Sequence, residues 1–289
     1  MRYVCFHFAG AQRVGLLSDD GMSVTPLALS EDEARLGVLA VVERSAQGQP
    51  IPVADEAAIP LQALRLAAPF PIPRRNIWCV GRNYHAHATE LKASVFKDNS
   101  AAVEAWPIVF TKVPECVIGP ADVVQIPYGV SDQIDYEAEL LIVIGTGGKN
   151  IRAEDAMQHV WGYSIVNDVT ARDVQMRHQQ WDLGKSFDTF CPMGPWAVTA
   201  DAMDGNHVQV RCWVNGDLRQ DANTEDLIFN IPTLIETISR GITLLPGDLI
   251  ASGTPAGVGM GMKPPQYLKA GDRVRIEIEG IGVLENSMA

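Results

Sequence analysis

At 289 residues the chain is long enough for one large domain or a large one with a small companion, and 47% apolar with 20% charged residues is the composition of an ordinary soluble globular protein. A formal charge of −12 argues against nucleic acid or an anionic membrane surface as the main partner, so a small anionic substrate would need a local cation, either a metal or a few placed Lys and Arg. No run approaches the ~20 apolar residues of a membrane span, the start is too short in apolar residues for a secretory signal, and five scattered cysteines without a CxxC pair read as free thiols in a reducing compartment, which points to the cytoplasm.

In chain order, Arg13–Ser18 and Met22–Leu27 are short apolar runs separated by Asp-Asp-Gly, a hairpin signal. Ser30 and Glu33 have capping-box spacing and predict a helix through about Ser45. Residues 1–68 thus read as a small N-terminal α/β module. The run Pro69-Phe-Pro-Ile-Pro73 marks its boundary with a second domain over 69–289, because it cannot easily continue regular structure. Beyond it short β-like runs dominate: Ile77–Val80, Ile108–Lys112, Glu139–Ile144, Gly162–Asn167, Trp196–Val198, Val208–Val214, Asp248–Ala251 and Val274–Ile278. Between Tyr84 and Trp106 the composition suggests a helix followed by a mobile loop, and Pro232–Arg240 is the clearest helix. The expected class is α+β and β-rich, not alternating βαβ units.

Several residues along this frame could carry chemistry. On a helix, His87 and Glu90 at i,i+3 share a face, so the carboxylate could orient the imidazole as a base; the plainer reading is an incidental ion pair. His85-x-His87 followed by an acid has a cupin look, but the acid arrives too early. Asp135, Glu137 and Glu139 alternate into an apolar strand, so they share a face that becomes core within two residues. Anions so placed repel unless a cation sits between them, and a hard divalent ion (Mg²⁺, Mn²⁺ or Ca²⁺) suits carboxylate oxygens, although a solvated strand end is the plainer reading. Asp168 ends the apolar run Tyr163–Asn167. It could serve as a helix cap, but Thr170 and Asp173 have capping spacing of their own, and Glu137, Glu139 and Asp168 would make three carboxylates for an open metal site. Arg172, Gln175 and Lys185, each ordinary surface residues if taken singly, would together hold a carboxylate and an enolate oxygen. The glycine-rich Gly253–Gly261 is followed by Pro264-Pro265 where a Rossmann helix would have to start; its amides could instead cradle a carboxylate or phosphate, or it could be a plain surface loop.

Together these pieces resemble the fumarylacetoacetate hydrolase family. The matching blocks are Val80-Gly-Arg-Asn-Tyr84 with His87 and Glu90, Asp135–Gly145, Gly162–Asp173, Gly184-Lys-Ser-Phe187, Pro246–Gly259 and Gly280–Asn286, in the family's order over residues ~75–289. The resemblance implies a mixed β-sandwich-roll catalytic domain, usually homodimeric, with Mg²⁺ or Mn²⁺ and no organic cofactor. The segment before Pro69 looks like the N-terminal module of bacterial members. By position Glu137, Glu139 and Asp168 match the metal carboxylates, and His87 and Glu90 match a water-activating dyad on a lid (about 84–106). Arg172, Gln175, Thr254 and Lys185 match substrate-contacting positions. Where some members add an acid to the metal site this chain has Val80, and its lid segment Lys92–Glu104 is longer than in compact members.

The family acts on 2-oxo acids, so the implied activity is hydrolytic C–C cleavage of an acylpyruvate or related 2,4-dioxo acid, with Lys185 stabilising the developing enolate. The first alternative keeps the site and makes the protein a metal-dependent decarboxylase or isomerase of an oxaloacetate-like acid. A second, of a different class, is a non-catalytic module that the metal merely ties together.

Overall fold

The strand Ala138–Ile144 is buried at every residue, and the architecture is arranged around it. The computed structural model describes residues 1–94, 106–177 and 180–289. In the large mixed sheet the order is Ile59–Pro60, Ser23–Pro26, Ala11–Leu17, Arg2–Phe8, Cys191–Thr199, Val160–Asn167, Ala138–Ile144, Leu249–Ala251, Ile77–Gly81 and Ile108–Lys112. A central strand covered on both faces reads as an unbroken apolar run, which is how Leu140–Ile144 reads. The second sheet runs Asp217–Asn223, Gln209–Val214, Arg273–Ile278, Gly282–Met288 and Val123–Val124. One apolar core joins the two, with Leu140 and Ile142 from the first and Val210 and Ile276 from the second. The result is β-rich α+β with mixed sheets, as the sequence implies. No helix among the described residues is long and apolar enough to cross a membrane.

The strands of the first 68 residues extend the large sheet, Arg2–Phe8 lying antiparallel to Cys191–Thr199 through Arg2↔Val198 and Tyr3↔Ala197. Most expected elements recur within a residue or two. The helix Ile231–Ser239 is capped by the Asn230 side chain, which accepts from the Thr233 amide. Cys191–Thr199 is longer than the expected Trp196–Val198, because Pro192, Gly194 and Pro195 argue locally against a strand and the ladders on either side override them. Asp217–Asn223 has no apolar alternation to announce it; it forms by pairing with Gln209–Val214. The helix His85–Ser94 begins where expected; the mobile loop expected after it and most of Lys92–Glu104 lie outside the described residues.

One expectation fails for a clear physical reason. The capping box at Ser30 and Glu33 forms, but the predicted single helix is two, Glu31–Arg35 and Val38–Ala46. Gly37 breaks it at φ +64°, where a Cβ would lie 2.5 Å from the Pro69 carbonyl oxygen. The Val38 amide donates to that same oxygen at 2.7 Å, so the break fastens the helix to the Pro-rich run. Gly37→Ala is therefore expected to destabilise the protein by about 2 kcal/mol or more, read as a lowered urea midpoint at unchanged m-value.

Candidate active site

Strand register brings the acids together. Ala138 pairs with Asn167 and Glu139 with Val166, so one step further Glu137 faces Asp168, whose amide donates to the Glu137 carbonyl at 2.9 Å. The Asn167 side-chain oxygen accepts from the Glu137 amide at 3.0 Å, satisfying the backbone where the regular strand stops. Ligand oxygens of Glu137, Glu139 and Asp168 all lie within 4.8 Å of one another, and all three residues are buried. Asp135 does not join them. It lies on a separate short strand, Ile134–Asp135, and turns to Arg172 at 2.8 Å, so the expectation of three acids along one continuous strand is corrected.

Cations hold this cluster. Lys185 Nζ donates to Glu137 Oε2 and Asp168 Oδ2, each at 2.7 Å. Arg172 Nη1 lies 2.7 Å from Glu137 Oε1. Lys112 Nζ donates to Asp168 Oδ1 at 2.7 Å, to the Val169 carbonyl at 3.2 Å and to the Lys185 carbonyl, which uses all three of its protons. Sequence reasoning passed over Lys112; the available signal was a lysine closing a strand otherwise destined for the core. The expected Thr170–Asp173 cap is also absent. Ala171 is the N-cap of Arg172–Gln175 without a side-chain bond, while Asp173 instead accepts from Ser131 Oγ and from the Val174 amide.

The glycine loop does cradle carboxylates, and they are the protein's own. Gly253 N–H donates to Glu139 at 2.8 Å, Gly257 N–H to Glu90 at 3.1 Å, and the Gly259 and Met260 amides to Asp135 at 2.7 and 3.0 Å. Glu90 reaches back to His87, with Oε2 3.1 Å from Nδ1. The Gln220 side chain, another residue passed over, donates to Thr254 Oγ1 at 2.7 Å and fixes that hydroxyl.

His87, Glu137, Glu139, Arg172, Gln175, Lys185 and Thr254 line one cavity, with Phe110, Trp181 and Met260 among its apolar walls. Of the predicted site residues, Glu90 and Asp168 stand behind this lining, one holding His87 and the other holding Lys185. His85, given no role, is exposed on the same helix.

The charges do not balance. Asp135, Glu137, Glu139 and Asp168 are buried with Lys112, Arg172 and Lys185, which leaves one negative charge in excess. Burial opposes ionisation of Glu137, but Lys185 and Arg172, with His87, hold its pKa down to about 2. Burial pushes the pKa of Glu139 well above the carboxylate range, and neighbouring Asp168 and Glu137 push it further. A hard divalent cation fits this deficit, because three carboxylates converge on one point and one of them lacks compensation. The linkage has opposite signs at the two glutamates. Ionised Glu137 stabilises the fold above its unfolded pKa and loses that contribution as pH falls towards about 2. Glu139 favours the fold while protonated and loses that contribution as pH rises through its raised pKa.

Metal ligation requires Glu139 deprotonated, so Mg²⁺ binding is expected to release a proton and to weaken as pH falls, by up to about tenfold per pH unit. Calorimetric titrations at about pH 6 and about pH 8 in buffers of different ionisation enthalpy read both effects. An affinity independent of pH, with no proton release, would remove Glu139 from the ligand set.

The chain is similar to known proteins. The model of the fumarylacetoacetate (FAA) hydrolase C-terminal domain matches residues 76–289. Oxaloacetate tautomerase YisK of Bacillus subtilis is 48% identical over 79% of this chain and 74% of its own length. Mitochondrial oxaloacetate tautomerase FAHD2B of Bos taurus is 40% identical, covering 100% of this chain and 91% of its own. Among solved structures, the fumarylacetoacetate hydrolase of Exiguobacterium antarcticum superposes with a TM-score of 0.86 at 40% identity, covering 100% of this chain and 99% of that one. A 5-carboxymethyl-2-hydroxymuconate delta-isomerase from Mycobacterium smegmatis gives a TM-score of 0.79 at 34% identity, with 100% and 99% covered. With the family domain matched over most of its length and relatives of this identity covering most or all of it, the chain belongs to the fumarylacetoacetate hydrolase family.

Proposed function

We propose that the protein is a divalent-metal-dependent tautomerase of a small 2-oxo acid of the oxaloacetate type. The observation that carries the reading is His87, a buried imidazole oriented by Glu90 and lining the same small cavity as Glu137, Glu139, Arg172 and Lys185. A lining that mixes these charged groups with the apolar side chains of Phe110, Trp181 and Met260 suits a small acid and a proton transfer that needs no added reactant. Two relatives are named oxaloacetate tautomerases and a structural neighbour is named an isomerase, which favours this chemistry over the C–C hydrolysis that the family name first suggests.

Glu137, Glu139 and Asp168 would hold Mg²⁺ or Mn²⁺, and that ion would supply Lewis-acid withdrawal of electrons from the 2-oxo group. With Glu90 accepting at Nδ1, His87 keeps the Nε2 lone pair for the proton on C3 of the keto acid. Lys185 and Arg172 offset the negative charge that develops on the 2-oxo oxygen and the charge that the carboxylate already carries. Arg172 Nη2, buried and without a hydrogen-bond partner among the described residues, is available to the substrate carboxylate. Thr254 Oγ1, held by Gln220, offers a further polar contact. Return of the proton from His87 Nε2 to oxygen completes the enol, and the reverse sequence returns the keto form.

The acylpyruvate hydrolase reading uses the same His87 and Glu90 with water as the nucleophile. The two readings separate when oxaloacetate and a small acylpyruvate panel are followed with Mg²⁺, recording enol loss, pyruvate and CO₂ together. Keto–enol exchange without pyruvate or CO₂ is the expected outcome; acylpyruvate cleavage with no acceleration of exchange would overturn it. His87→Ala is expected to slow exchange by about 10²–10⁴-fold while Mg²⁺ affinity holds, since the imidazole is the base and not a ligand.

A further inference from the structure

Arg172 is the cation whose remaining donor faces the substrate in the reading above, and something must fix the plane of its guanidinium. Nε donates to Asp135 Oδ2 at 2.8 Å. Nη1 lies 2.7 Å from Glu137 Oε1 and 3.2 Å from Gln175 Oε1. Only Nη2 is left without a partner among the described residues. Glu137 belongs to the cluster that can hold a metal, so its carboxylate serves two masters. Asp135 stands outside that cluster, so it can anchor the guanidinium whatever Glu137 does.

Asp135 is itself fully determined. Its Oδ1 accepts from the Tyr136 amide at 2.9 Å and the Gly259 amide at 2.7 Å, and its Oδ2 from Arg172 Nε and the Met260 amide at 3.0 Å. Four donors fill the four acceptor positions of an ionised carboxylate, and none of the four can act as an acceptor. An asparagine in its place would turn an NH₂ group against two of them. A Cβ at position 259 would lie 2.8 Å from Asp135 Oδ1, so a glycine there lets the loop come this close.

We propose that Asp135 is a positioning residue: it aims Arg172 Nη2 at the substrate carboxylate and keeps that aim independent of metal occupancy. This rests on the 2-oxo acid reading of the site, and it adds a residue that touches neither substrate nor metal. The one acid of the Asp135–Glu139 motif left out of the metal cluster thereby gains a function.

The test uses oxalate, a planar dianion that presents adjacent oxygens as a 2-oxo acid enolate does and cannot turn over. Calorimetry on the full chain measures Mg²⁺ affinity alone, then oxalate affinity on the Mg²⁺-loaded protein, for the parent, Asp135→Asn, Arg172→Lys and the double variant. D135N is expected to keep Mg²⁺ affinity within about threefold and to lose oxalate affinity by about 10–100-fold, the size of a charge-assisted hydrogen bond. R172K should show the same loss, and the double variant should be no weaker than the worse single one, since both remove one interaction. Additive losses in the double variant, unchanged oxalate affinity in D135N, or equal loss of Mg²⁺ and oxalate would each overturn the assignment. If D135N does not fold, Asp135→Glu carries the test, because it keeps the charge and shifts the carboxylate: oxalate is expected to bind more weakly with Mg²⁺ unaffected, and parental oxalate affinity would overturn the proposal. A parent protein that binds no oxalate would remove the 2-oxo acid reading and this assignment with it, whereas parental binding that D135N does not weaken removes the assignment alone.

Discussion

Four carboxylates buried in one small volume are the constraint on which the rest of the structure turns. An isolated buried anion costs several kcal/mol or changes its protonation state, so each needs a partner. Three solutions operate side by side. Lys112, Arg172 and Lys185 neutralise Asp135, Glu137 and Asp168 by direct contact. The backbone amides of the glycine loop solvate Asp135 and Glu139 in place of water. What remains falls on Glu139, whose pKa burial and the neighbouring Asp168 and Glu137 push well up, which is the opening for a divalent cation.

This arrangement explains why the loop is built of glycine. Gly253 has φ +101° and a Cβ there would meet Asn83 Cβ at 2.7 Å; Gly257 has φ +105° and a Cβ would lie 1.8 Å from the Arg219 carbonyl oxygen. Both conformations are open to glycine at no steric cost, and both aim an N–H at a carboxylate. The same loop reaches the helix His85–Ser94 through Glu90, which is shared between the Gly257 amide and His87. The Gly257 amide thus steadies the carboxylate that in turn contacts the His87 imidazole.

The large sheet supplies the rigidity these distances need. Ala138–Ile144 is paired on both sides, to Val160–Asn167 and to Leu249–Ala251, and the acids, Asp168 and the glycine loop all emerge from these three neighbouring strands. Lys112 comes from the edge strand Ile108–Lys112, which pairs with Ile77–Gly81. Side chains at the ends of paired strands hold their positions far better than side chains on loops, and catalysis by positioned charges depends on that.

The sequence by itself determined the β-rich class, the strand bearing Glu137 and Glu139, the His87–Glu90 spacing, and, through ordered motifs, the family. Those features are local: alternation and helical spacing are properties of a few consecutive residues. Tertiary structure decided which acids meet. Glu137 and Asp168 are thirty-one positions apart and become opposite only through the Ala138↔Asn167 register, while Asp135, two residues from Glu137, belongs to the separate strand Ile134–Asp135 and turns to Arg172 instead. Lys112 and Gln220 stayed illegible for the same reason: each acts on a partner more than thirty residues away, and nothing near them in sequence records it. The sequence leaves the glycine loop open between a cradle for an anion and a plain surface loop; its amides hold side-chain carboxylates that only folding could deliver.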